Sequence, residues 1–105
     1  MKKIILDENI PHALRKTLSV HAVTTVQREG WGGIKNGELM QRIDGRFDVF
    51  ITADKNLRYQ QNLVNRKIAI IELPFNARRL VMPLAGKILE AIETIQPNGY
   101  AFIED

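Results

Sequence analysis

The chain has 105 residues, 45% of them apolar, which suits one small globular domain and excludes disorder. With no cysteine, disulfides and thiolate metal sites are excluded, and two histidines, His12 and His21, are too few for a His-built zinc site. A net charge of +3, with a pI of about 9.5, permits an anionic partner without identifying one.

Lys3, Ile4, Ile5 and Leu6 read as a first strand that runs into Asp7, Glu8 and Asn9. Met1, Lys2 and Lys3 are basic, but only residues 4–6 follow before Asp7, so no signal peptide is expected and the default location is the cytoplasm. No apolar stretch approaches the length that spans a bilayer. Pro11 opens an amphipathic segment over residues 10–18, with Ile10, Ala13, Leu14 and Leu18 on one helical face. Residues 21–26 form a β-branched second strand. Residues 28–37 hold four glycines and read as a loop with unusual backbone demands. A short helix follows over 37–43, then a third strand over 48–52, a helix over 56–64 and a fourth strand over 67–73. Asn76 is placed to cap a long helix over 77–95. Pro97, Asn98 and Gly99 make a turn before a last edge strand over 100–103. Strands alternate with helices throughout. This predicts a single three-layer α/β domain, with a mostly parallel sheet of about five strands and helices on both faces. The favoured strand order is 2-1-3-4-5, which puts the first and third strands side by side at the switch point.

In such a sheet Asp7 and Asp54 end neighbouring strands, and Glu38 opens the helix that leads into the third strand. Ligands sit beyond the carboxyl ends of strands in open α/β sheets. A buried carboxylate there is costly unless it meets a cation or hydrogen-bond donors. Asp7, Glu38 and Asp54 together make a divalent-cation cage of oxygen ligands, which favours magnesium or manganese and suits phosphodiester hydrolysis. Thr52 and Asn56 flank Asp54, and Asn9 stands by Asp7. Thr52 is placed to donate to a carboxylate, and Asn9 to orient Asp7 or a metal-held water. Each acid also has a plain alternative: Glu38 favours its helix N-terminus, and Asp54 caps the helix after it. Asp44 and Asp48 read as solvated or turn residues.

Leu6-Asp7-Glu8-Asn9-Ile10-Pro11 resembles the LDENLP opening of the short bacterial PIN-like proteins. Thr52-Ala53-Asp54 resembles their T-x-D segment after the third strand, and Asn36-Gly37-Glu38-Leu39 the acid-led helix before it. PIN domains are metal-dependent ribonucleases, and many are toxins of toxin–antitoxin pairs. The resemblance therefore implies a PIN-like domain, magnesium or manganese on Asp7, Glu38 and Asp54, RNA cleaved by a metal-activated water, and an antitoxin partner. Many relatives carry a further acid where this chain has Asn56, and a cage with fewer charges binds metal more weakly.

Several cations and one aromatic residue are candidates for RNA contact: Trp31, Lys55, Arg58, Arg78 and Arg79. Trp31 either stacks on a splayed base or folds over the core as a lid. Arg78 and Arg79 open a helix, where the dipole disfavours cations, which points to a phosphate or to an acid partner such as Glu72. Arg15, Lys16 and Arg66 read as solvated surface. The apolar stripe of the last helix is wide, and its excess, Val81, Met82 and Leu89, is a candidate homodimer or partner surface. Two other classes remain open. One is a non-catalytic binding module on the same fold; the other is a phospho-receiver, in which Asp7, Glu8 and Asp54 mimic the acidic pocket. A receiver also needs a lysine at the end of its last core strand, where this chain has Glu72, Leu73 and Pro74.

Overall fold

The computed structural model describes residues 1–57 and 66–105. Runs of aliphatic and β-branched residues form five strands: β1 (Lys3–Leu6), β2 (Ala22–Thr25), β3 (Val49–Thr52), β4 (Ala69–Glu72) and β5 (Tyr100–Phe102). They join in the order β2-β1-β3-β4-β5, and every pair is parallel. The helices are α1 (Leu14–Thr17), α2 (Asn36–Ile43), α3 (Arg78–Val81) and α4 (Ala85–Thr94).

Side chains alternate across a strand, so each strand feeds two cores. Ile4, Leu6, Ile51 and Ile71 point to one face, where they meet Leu14 of α1 and Ile88 and Ile92 of α4. Ile5, Phe50 and Ile70 point to the other, where Leu39, Met40 and Ile43 of α2 cover them. The central strands are buried on both faces, as a parallel sheet requires.

The connections do not all share one hand. From β1 to β2 the chain passes over the α1 face, and from β2 to β3 it returns in the opposite direction over the α2 face. Those two crossovers therefore have the same hand. From β4 to β5 the chain moves in the same direction as from β2 to β3, but α3 and α4 lie on the α1 face. This last crossover has the opposite hand, a departure from the single hand that parallel crossovers nearly always take. It brings the end of α4 beside the residues that precede β1 and β2. There the Lys2 ammonium donates to the carbonyl of Ile95 at 3.1 Å and to that of Ile92, at the end of α4. His21 is held between the Lys2 amide on Nδ1 and Glu93 on Nε2, each at 3.1 Å.

Several elements differ from the expected ones. Only residues 14–17 of the 10–18 segment are α-helical. The turn before them is closed by Leu14 and Arg15 amides on the carbonyls of Pro11 and His12, a tighter three-residue spacing. The helix expected over 77–95 is broken. A 3-10 turn at Met82–Leu84 separates α3 from α4, because Pro83 has no amide to give and its ring crowds the preceding turn. Ala77, not Asn76, holds the N-cap position of α3, and no side chain caps it. Val81 is fully buried, and Met82 and Leu89 are partly buried against the same core. Arg66 is buried rather than solvated, and its Nη1 donates to the Ile68 carbonyl. Asp44 and Asp48 are strand anchors. Asp44 Oδ1 accepts the amides of Lys67 and Ile68 at 2.8 and 2.9 Å, and Asp48 Oδ2 accepts that of Lys3 at 2.8 Å. The helix expected over 56–64 lies mostly outside the described residues.

The turn into β5 sets a clear test. Asn98 adopts φ 63°, and its amide donates to Lys67 at 2.8 Å. A Cβ on Gly99 would lie 2.7 Å from the Gln96 carbonyl oxygen and 2.9 Å from Ile95. Gly99→Ala is expected to cost about 1–3 kcal/mol in urea unfolding. Asn98→Gly, which suits the left-handed conformation, is expected to stay within roughly 0.5 kcal/mol of wild type. Equal stability of wild type and Gly99→Ala would refute the close approach.

Candidate functional site

The parallel register of β1 on β3 pairs Leu6 with Ile51, and the Asp7 amide extends the ladder to the Ile51 carbonyl at 2.9 Å. The next residue of each strand then follows by alternation. Asp7 and Thr52 come two residues after Ile5 and Phe50, so both turn to the α2 face. The Thr52 hydroxyl donates to Asp7 Oδ2 at 2.7 Å, inside the sheet edge. Asp7 Oδ1 accepts the Glu8 amide at 2.8 Å. The same Thr52 oxygen accepts the Asp54 amide at 3.0 Å, so one hydroxyl ties the two acids together. Asp54 Oδ1 accepts the Asn56 amide at 2.9 Å, an Asx turn, and Asp54 Oδ2 accepts the Asn36 amide group at 2.6 Å.

Asp7 is 8% exposed. Burial raises its carboxyl pKa above the ordinary 3.8, against the lowering effect of the Thr52 and Glu8 hydrogen bonds; the nearby charges of Glu8 and Asp54 raise it further. A group in this position is short of positive charge, and Asp54 is the second carboxylate beside it.

Glu38 is placed differently. Its carboxylate forms an i,i+4 ion pair with Arg42 at 2.7 Å on the exposed side of α2, and its side chain is 57% exposed. Among the described residues no group of three acids or histidines stands close enough to hold a metal ion. Asp7 and Asp54 come together; Glu38 does not join them in this rotamer. Asn9 is exposed and makes no hydrogen bond among the described residues. Asn56 contributes its backbone amide. Lys55 lines a shallow hollow with Ala53, Pro74 and Phe75 beside Asp54. Arg78 and Arg79 are exposed next to it and line a second hollow with Met82. Arg58 lies outside the described residues. Trp31 packs on the α2-side core, edge-on to Phe47 with ring centroids 6.4 Å apart, and the Arg46 guanidinium stands 5.9 Å over its ring.

Three participants were not singled out as site residues from the sequence. Asn36 opens α2 and orients Asp54. Glu72 ends β4 in register with Thr52, is fully buried, and accepts the Tyr100 hydroxyl at 2.7 Å. Glu8 accepts the Gly33 amide at 3.3 Å on each oxygen and so ties the glycine-rich loop to the end of β1; Gly33 takes φ 81° to present that amide. A signal existed for Glu72, since an acid inside an apolar strand requires a buried partner. No such signal marked Asn36, whose partner is 18 residues away.

Comparison of the chain with family models, curated proteins and solved structures finds no match. The residues themselves are therefore the test of whether a metal fits. Magnesium is commonly held by one or two carboxylates, with waters and substrate phosphates completing its shell. Asp7 and Asp54 supply two carboxylates of that donor set, and each of their four oxygens already accepts one protein hydrogen bond and keeps a second lone pair.

A pH test follows from Asp7. Because its pKa is raised in the folded protein, its contribution to stability is fully present below the unfolded value of 3.8 and is lost as pH rises through the folded value. In EDTA, Asp7→Asn is therefore expected to melt above wild type at pH 7, with the difference shrinking as pH falls toward 4. A variant that is less stable than wild type at pH 7 would show that the ionised carboxylate is stabilising.

Proposed function

We propose that this protein is a metal-dependent ribonuclease of PIN-like type, with Asp7 and Asp54 holding magnesium or manganese at the switch point between β1 and β3. The observation that carries the reading is Asp7 and Asp54 at neighbouring strand ends, with Thr52 donating to the Asp7 carboxylate and accepting the Asp54 backbone amide. The motif order noted in the sequence, with Asp7 after the first strand, Glu38 on the helix and Asp54 after the third strand, supports it. A divalent ion bound there supplies Lewis acidity to a scissile phosphodiester. Thr52 holds the Asp7 carboxylate in one orientation, and Asn36 does the same for Asp54. Lys55, Arg78 and Arg79 lie along the same rim and offer positive charge to an RNA backbone. Glu38 becomes a third ligand if it leaves Arg42. The same resemblance makes an antitoxin the protein partner to look for.

A second reading, a binding module without chemistry, is favoured by one observation: Glu38 is engaged by Arg42 rather than aimed at the two aspartates.

Two measurements separate these. Manganese at ~100 times its dissociation constant is expected to stabilise wild type by roughly 2.7 kcal/mol, and Asp7→Asn and Asp54→Asn to lose most of that gain. Unchanged melting up to millimolar manganese would refute the metal site. Single-stranded RNA is expected to be cut with manganese and left intact in EDTA, with Asp7→Ala and Asp54→Ala slower by roughly 100-fold or more. Metal binding with no cleavage above the level of these variants would leave the binding module. Glu38→Gln decides the third ligand: cleavage at the wild-type rate would assign Glu38 to its ion pair alone.

A further inference from the structure

The opposite rim of the sheet, where the strands begin, holds a feature that the acidic rim does not explain. A cleft of about 660 Å³ opens there, within the size of small-ligand sites, which run from roughly 300 to 1,000 Å³. Its lining brings four cationic side chains, Lys2, Lys3, Arg46 and Lys67, against one carboxylate, Asp48. Lys2 is already engaged. It covers the carbonyls at the end of α4, which removes the negative end of a helix from a wall of the cleft. Lys3 and Lys67 are exposed, and their ammonium groups make no hydrogen bond or ion pair among the described residues; the exposed Arg46 guanidinium stands over the Trp31 ring.

The other walls are apolar. Phe47, Ala69, Ile95 and Pro97 line the same cleft. Gly45, at φ 85°, turns the chain out of α2 so that Arg46 and Phe47 follow as neighbours, with both amides on the Ile43 carbonyl. Asp48 keeps one oxygen on the Lys3 amide. Cations beside a flat apolar wall and one carboxylate match three parts of one ligand: a phosphate, a base and a ribose hydroxyl.

We propose that this cleft binds a nucleotide, either free or at the end of an RNA strand. Lys3 and Lys67 meet its phosphate, Phe47 and Pro97 take its base, and Asp48 accepts a ribose hydroxyl. The site is separate from the carboxylate pair and does not rest on the ribonuclease reading.

The test is calorimetric titration of the full chain in EDTA with adenosine 5′-monophosphate, adenosine, inorganic phosphate and a 5′-phosphorylated trinucleotide. The monophosphate is expected to bind at least ~10-fold more tightly than adenosine or phosphate alone, because a charge-assisted contact is worth about a tenfold change. Added salt is expected to weaken it by screening. Lys3→Ala/Lys67→Ala is expected to lose ~10-fold or more, whereas Lys16→Ala/Lys87→Ala, an equal charge change on α1 and α4, leaves binding intact. Lys3 and Lys67 are both exposed, and an unchanged melting temperature checks the fold of their double variant. Tighter binding of the trinucleotide assigns the site to a strand end; equal binding assigns it to a free nucleotide. Equal affinities for adenosine and its monophosphate, no binding at millimolar concentration, or a Lys3→Ala/Lys67→Ala variant that binds like wild type would each overturn the proposal.

Discussion

One hydroxyl organises the acidic end of this fold. The Thr52 oxygen donates to Asp7 and accepts from the Asp54 backbone; the first bond depends on β1 lying beside β3 in one register, and the second is local. A slip by one residue would turn Thr52 and Asp7 to opposite faces and leave a buried carboxylate without its donor. The cost of burying Asp7 is met by two hydrogen bonds but not by a cation, which is why its proton affinity stays high.

The two rims of the sheet have opposite chemistry for a shared reason. All strands are parallel, so every strand ends on one rim and begins on the other. Asp7, Asp54 and Glu72 collect where strands end. Lys2, Lys3 and Lys67 collect where they begin, and Asp44 and Asp48 anchor strand starts through backbone amides there. Carboxylates serve different ends on the two rims. On the starting rim they accept backbone amides and fix the chain. On the ending rim two of them share a threonine and compete for positive charge.

Much of this was legible in the sequence because it is local. Apolar runs of strand length, glycine loops and Pro97-Asn98-Gly99 specify elements and turns within a few residues. The parallel α/β class and the 2-1-3-4-5 order follow from alternation of strands and helices, and the order puts Asp7 and Asp54 side by side. Other assignments failed where a local pattern was ambiguous. Pro83 sits inside an apolar helical pattern, and its missing amide breaks the helix although the periodicity continues through it. Val81 extends the stripe beyond what one sheet face covers, yet the break at Pro83 turns α3 so that Val81 is buried in the same core. Arg66 has no sequence mark of burial, and only the packing of its neighbours makes it so. Glu38 is a separate case: it pairs with Arg42 one turn on, and its assignment as a ligand stands as a proposal.

By itself, then, the sequence determined the element types, the class of sheet and the identity of the two acids at the strand ends. These depend on side-chain periodicity and on residues close in the chain. Tertiary structure alone decided the hand of the β4–β5 crossover, the joining of Asp7 to Asp54 through Thr52, the tie from Asn36 to Asp54 and the gathering of Lys3, Arg46 and Lys67 around one cleft. Each of these is a relation between residues tens of positions apart. Its energy exists only once the strands have paired and the helices have chosen a face, so no local pattern encodes it.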